Sequence, residues 1–125
     1  MNYRNLEVWQ LARGRVVEIH DKTLTKLPKL ETFEEASQIR RAIKSVKSNI
    51  VEGYGGRRYK QEFVRYVSYA LPSCDETVDH LDTLVATKSL TDSTIAEQLN
   101  AKLDELSRKL NLFLESIERR HISEK

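Results

Sequence analysis

The residues best suited to chemistry lie in the middle of the chain. Arg40, Lys44 and Lys47 recur at helical spacing with Arg41 beside them. They are followed by the run Glu52-Gly53-Tyr54-Gly55-Gly56-Arg57-Arg58-Tyr59-Lys60. Arginines carry planar forks suited to phosphate. Glycines let backbone amides approach an anion, and the start of a following helix adds unpaired N–H groups and a positive dipole end. Tyr54 and Tyr59 have rings that can stack on unpaired bases. The pattern predicts contact with a nucleic-acid backbone through Arg40, Arg41, Lys44, Lys47, Arg57, Arg58 and Lys60. It equally describes a solvated charged face followed by an ordinary interhelical turn. The glycine cluster lacks the Gly-Lys-Ser/Thr ending of a P-loop, so nucleotide hydrolysis is not expected.

Other chemistries are weaker. A di-metal bundle requires Glu-x-x-His on two helices with two further inward glutamates. This chain offers one such pair, Glu118 and His121, near its end, and a polar group of Glu76, Asp79 and His80 that reads as surface. Cys74 falls in an apolar stripe, where a thiol behaves as a small buried group. His20 lies near the apolar side of its helix and reads as a packing residue. Neither has an evident base and orienting partner, so no nucleophilic site, metal, cofactor or enzymatic activity is expected. Asn49, with Glu52 and Gly53 close behind it, reads as a structural turn and polar pair. Its expected role is to hydrogen-bond into a neighbouring helix and fix register.

Charge is distributed unevenly. The formal net charge is only +2, but between Ser37 and Ser68 the basic residues Arg40, Arg41, Lys44, Lys47, Arg57, Arg58, Lys60 and Arg65 face only Glu52 and Glu62. From Tyr69 to Leu106 the sign reverses: eight acids, among them Asp75, Asp79, Asp82 and Asp104, face only Lys88 and Lys102. Such a bipolar field draws a polyanion to one side, or serves head-to-tail contact between subunits. No apolar run approaches the roughly 18 residues of a membrane span, and no signal peptide is evident. A single cysteine suits a reducing compartment, and a cytoplasmic location follows as the expectation.

Four helices must position these groups. With 125 residues, 32% of them charged and only 4 Gly and 2 Pro, the chain suits one helix-rich domain. The first helix is predicted over about 6–26, capped by Asn5, with Trp9, Ala12, Val16, Ile19, Thr23 and Leu27 on one side and Pro28 closing it. The second spans about 33–52, opened by a Thr32/Glu35 capping box and stopped by Gly53, with Ala36, Ile39, Ile43, Val46 and Ile50 inward. The third spans about 59–86 with Phe63, Val67, Ala70, Cys74, Val78, Leu81 and Val85 inward, and a kink at Pro72. The fourth spans about 92–120 with Leu99, Leu103, Leu106, Leu110, Phe113 and Ile117. Short connections imply an all-α, antiparallel up-down-up-down four-helix bundle. Leu6, Val17, Leu24, Val64, Leu71 and Leu112 fall outside these lines. They are either scattered surface residues or subunit contacts.

The stretch from Gln38 to Gly55, together with Leu6–Ala12 and the pairs Glu62-Phe63 and Arg65-Tyr66, resembles the bacterial "four helix bundle protein" family. That family includes proteins encoded by intervening sequences in 23S ribosomal RNA genes. It is similar in turn to the accessory variability proteins of diversity-generating retroelements, which associate with nucleic acid and a reverse transcriptase. The resemblance implies a four-helix bundle assembled as a homopentamer, and it carries family positions onto Arg40, Arg41, Arg57, Glu52 and Gly53. Leu71-Pro72-Ser73 and Lys47 depart from the family pattern. The resulting expectation is a non-enzymatic homo-oligomer binding RNA or DNA. The alternative is a scaffold or adaptor whose ligand is another protein, such as a reverse transcriptase or a ribosome-associated factor.

Overall fold

The computed structural model describes residues 2–27 and 34–123. A 3-10 turn, Tyr3–Asn5, leads into α1 (Glu7–Thr25), α2 (Glu35–Gly55), α3 (Lys60–Ala86) and α4 (Ser93–Ser123), and no strand occurs among the described residues. Each helix packs against its two neighbours in a ring, α1 and α3 both touching α2 and α4. The chain is therefore a four-helix bundle with the expected up-down-up-down order.

The core follows heptad spacing. Ile39, Ile43, Val46 and Ile50 of α2 meet Leu99, Leu103, Leu106 and Leu110 of α4 in one cluster, with Ala70, Cys74, Leu81 and Leu84 from α3. A second cluster closes the other end around Tyr54, Phe63, Val67 and Ile117. On α3 the buried line is Phe63, Val67, Ala70, Cys74, Thr77, Leu81 and Leu84. The sequence favours Val78 and Val85 over Thr77 and Leu84. In the structure Val78 is half-buried and Val85 is 43% exposed. Thr77 occupies the core because its hydroxyl donates to the carbonyl of Ser73 at 2.8 Å, which removes the cost of burying it. α3 continues through Pro72 as one helix.

Several boundaries differ from the sequence expectation. Asn5 belongs to the 3-10 turn, where Asn2 supplies the cap by accepting from the Arg4 amide at 2.8 Å; α1 then opens at Leu6 without a side-chain cap. Gly53 is not a stop: α2 runs to Gly55 and ends on Gly56. Gly53 is instead a point of close approach. A Cβ there would meet Val67 Cγ2 at 3.2 Å and both the Phe63 carbonyl and Tyr66 Cβ at 3.3 Å. α3 ends with Lys88 at φ 64°, its amide bonded to Val85 O and that of Ser89 to Leu84 O, a Schellman closure without glycine. Asp92 caps α4, accepting from the Ile95 amide at 3.2 Å. Pro28, Thr32 and the His121 side chain, on which the sequence places a terminator, a cap and a metal-ligand spacing, lie outside the described residues.

Interhelical polar contacts lock the frame. Glu18 accepts from Lys102 Nζ at 2.9 Å and lies 3.3 Å from Arg15 Nε, joining α1 to α4. Glu7 and Lys109 add a second tie at 3.5 Å. Between α2 and α3, Glu35 meets His80 Nδ1, and the hydroxyls of Ser45 and Ser73 lie 2.9 Å apart. His80 thus pairs across the bundle rather than with Glu76 and Asp79.

Cys74 is fully buried, its thiol 3.7 Å from the Leu103 carbonyl. Burial, reinforced by the Asp75 and Asp104 carboxylates, pushes that thiol up to about 11. Two predictions arise from the core. Gly14→Ala, where an added Cβ meets nothing within 4 Å, should stabilise the protein by up to about 1 kcal/mol. Gly53→Ala should destabilise it by about 1 kcal/mol, because overpacking outweighs the gain in helix propensity. Urea unfolding of the two variants reads the opposite signs. The second prediction concerns pH. The folded thiol stays protonated up to about 11 while the unfolded thiol ionises near 9.0, so the unfolded state sheds its proton first. Stability should fall across that window, and Cys74→Ala should show a smaller fall than the parent when both are unfolded in urea at increasing pH.

Candidate nucleic-acid interface

The predicted basic residues occupy distinct environments. Arg40 is half-buried at the α1–α2 seam, where its Nη1 donates at 2.9 Å to the Thr23 hydroxyl. That hydroxyl is itself buried and donates to the Ile19 carbonyl at 2.8 Å. Arg40 is therefore a tie between helices as well as a charge. One residue on, Arg41 points outward. Lys44 is exposed and Lys47 half-buried, so the outer face of α2 presents Arg41, Lys44 and Ser48 at helical spacing with Lys47 beside them.

The turn between α2 and α3 spans only residues 56–59 and is hydrogen-bonded to itself. The Gly56 amide donates to Glu52 O, Arg57 N to Tyr54 O and Tyr59 N to Gly56 O, all between 3.0 and 3.2 Å. The glycine amides that could have cradled an anion are thus spent internally at Gly56, and Gly53 and Gly55 are inside α2. Anion contact from this turn has to come from side chains. Arg57 is pre-positioned for it: its guanidinium lies 4.0 Å over the Tyr54 ring while Nη1 donates to the Tyr54 carbonyl at 2.9 Å. The remaining N–H donors of its fork are not needed for that bond. Arg58 is exposed and stands 5.7 Å from the Tyr59 ring centroid; Lys60 is half-buried at the first turn of α3. α3 opens without a side-chain cap.

The two tyrosines singled out in the sequence separate. Tyr54 is 9% exposed, edge-on to Phe63 and covered by Arg57, so it is a core residue. Tyr59 is 62% exposed. Asn49 bonds within its own helix, Nδ2 donating to Ser45 O at 2.9 Å and lying 3.2 Å from Ser45 Oγ; Ser45, not Asn49, makes the step across to α3. Glu52 is exposed and contributes its carbonyl to the α2 end. Sequence reasoning counts Arg65 only as a charge and Tyr66 only in a family motif, and misses that they gather with Tyr69 on α3. Their signal was a tyrosine–arginine run at three- and four-residue steps, masked by their place in an apparently ordinary amphipathic helix.

On the opposite side of the bundle, Asp75, Asp79, Asp82 and Asp104 line an open groove between α3 and α4. The sequence polarity is thus a spatial one. Among the described residues no group of His, Cys, Asp or Glu is arranged to hold a metal ion, and no helix is long and apolar enough to cross a membrane. His20 is exposed rather than packed.

Comparison with known proteins adds the lineage. A protein with unknown function from the S23 ribosomal protein family of Bacteroides thetaiotaomicron has the same fold, with a TM-score of 0.77 at 22% identity, covering 86% of this chain and 95% of its own. At that identity the likeness speaks to fold. No curated protein matches the chain. Neither the structural neighbour nor the matching family model indicates an enzymatic family. That model, described as 23S rRNA-intervening sequence protein, matches residues 4–112, and the chain belongs to this family.

Proposed function

We propose that this protein is a non-enzymatic homo-oligomer that binds the backbone of RNA or DNA through the outer face of α2 and the arginines of the following turn. The observation that carries the reading is the set Arg41, Lys44, Arg57 and Arg58. Each is solvent-exposed, none has a carboxylate partner among the described residues, and Arg57 is held in place over Tyr54. Lys47 and Lys60 flank the set, and Arg40 positions it by fixing α2 to α1. Unneutralised cations on one face, with the acidic groove on the other, orient a polyanion toward α2. Phosphate contacts made this way position a backbone without reading its sequence.

Assembly draws support from the exposed apolar residues Val17 and Leu24, one line on α1, and Leu112 on α4. Repetition of a modest cationic patch around a symmetry axis would multiply weak contacts into useful affinity. The same apolar line also supports the second reading, an adaptor whose ligand is another protein, such as a reverse transcriptase or a ribosome-associated factor.

A gel-shift series on structured RNA and duplex DNA at rising salt tests the first reading. Binding should weaken steeply with salt as counterions are released. Replacing Arg41, Lys44 and Arg58 together by alanine should lower affinity on every sequence and flatten the log–log salt slope by about one for each phosphate no longer neutralised. Absence of any shift at low salt, or an unchanged slope in the triple variant, contradicts it.

A further inference from the structure

The N-terminal half of α3 carries a tyrosine ring, Tyr69, that the bundle leaves exposed. Tyr69 is 47% exposed, and its ring stands edge-on to that of Tyr66, with centroids 5.9 Å apart at 88°. Arg65 spans both: its guanidinium carbon lies 5.4 Å from the Tyr66 centroid and 5.7 Å from that of Tyr69, and its Nε donates to the Tyr69 hydroxyl at 3.2 Å. Glu62 steadies the arginine from 3.5 Å. A large exposed ring held by two neighbours loses little further freedom on binding, which makes it an anchor rather than a mobile surface residue.

Its location gives the ligand. α2 and α3 run antiparallel with contacts at Glu35–His80, Ser45–Ser73 and Gly53–Tyr66. Tyr69 lies between Tyr66 and Ser73 on α3. It therefore stands level with Asn49 and Ile50 on α2, between the Gly53 and Ser45 levels. Lys44 is five to six residues from that level, about 8 Å along the axis. The ring thus stands at the edge of the outer α2 face, between the levels of Glu52 and Lys44. An exposed aromatic beside cations suits a ligand with both a phosphate backbone and free aromatic faces. Duplex bases keep their faces inside the stack, whereas unpaired bases offer them.

We infer that this surface binds unpaired nucleotides, a base stacking on Tyr69 while the adjoining phosphates lie against Lys44 and Arg41. The inference rests on the polyanion-binding reading and narrows its ligand to single-stranded segments: loops, ends or melted strands. Arg65 is a positioning residue, holding the ring from its edge. Tyr59, exposed at the start of α3 with Arg58 near it, supplies a second stacking point.

The test uses fluorescence anisotropy with a labelled oligouridine and a blunt RNA duplex of equal phosphate count, together with sedimentation of each variant. The parent protein should prefer oligouridine. Tyr69→Ala should weaken oligouridine binding about tenfold while leaving duplex affinity, salt slope and sedimentation unchanged, and Tyr69→Phe should retain most of the binding. Salt-dependent binding with no preference for oligouridine and no effect of Tyr69→Ala overturns the stacking inference and leaves the cationic face standing. No binding of either probe at low salt overturns both. A Tyr69→Ala variant that sediments as a smaller species makes the ring a contact between copies of the chain, and also overturns the inference.

Discussion

At Gly53 the backbone of α2 lies so close to α3 that a single methyl group would press on Val67, Tyr66 and the Phe63 carbonyl. That close approach dictates which sides of α2 are available for anything else. The side toward α3 is built from small groups, Ala42, Ser45, Asn49 and Gly53, so the two helices can approach and the hydroxyls of Ser45 and Ser73 can meet. The side toward α1 is committed to Arg40 and its bond to Thr23. The apolar line fills the core. Only one face remains, and it carries Arg41, Lys44 and Ser48, with Glu52 one helical turn further on toward the α2–α3 connection. The cationic surface is thus what is left when the packing demands of three neighbours have been met.

Electrostatic pairing follows a similar economy. The carboxylates that bind across helices, Glu7, Glu18 and Glu35, are answered by Lys109, Lys102 and His80, which hold the frame. Among the described residues, Arg41, Lys44, Lys47, Arg58 and Lys60 have no such partner. Mutual repulsion on that face costs little in water and at physiological salt, where surface charges are screened within about 8 Å. It leaves a positive potential available to a ligand that brings its own anions. The aspartates of the α3–α4 groove keep that potential directional.

Much of this was legible in the sequence, for reasons that also explain the failures. The lines Ala36–Ile50 and Leu99–Ile117 contain long, purely apolar repeats, so periodicity alone identifies the buried face. On α3 the heptad passes through Thr77, and a polar residue at a core position diverts the eye to Val78 and Val85; only the local bond to Ser73 makes threonine acceptable there. Glycine marks both stops and close approaches, and nothing in a single sequence distinguishes the two, which is why Gly53 reads as a terminus. Lys88 does the opposite, adopting a left-handed turn where glycine would have announced it. At the site, charge identifies the basic residues but not their tasks: Arg40 and Arg57 are tethered by Thr23 and Tyr54, and the ring expected to be free at position 54 is buried. Tyr66 and Tyr69 become a group only when the helix brings their rings edge-on with Arg65 against both.

The central claim is that the outer face of α2, with the adjoining tyrosines of α3, is where a polyanion sits. Backbone amide NMR of the isotope-labelled protein, titrated with a short oligouridine at low salt, tests it most directly. The account predicts saturable shifts concentrated on the amides of Arg41, Lys44, Ser48, Tyr66 and Tyr69, reversed by added salt, with the amides of Asp79, Asp82 and Asn100 unmoved. Shifts centred on the α3–α4 groove, or spread evenly over the bundle, would contradict it.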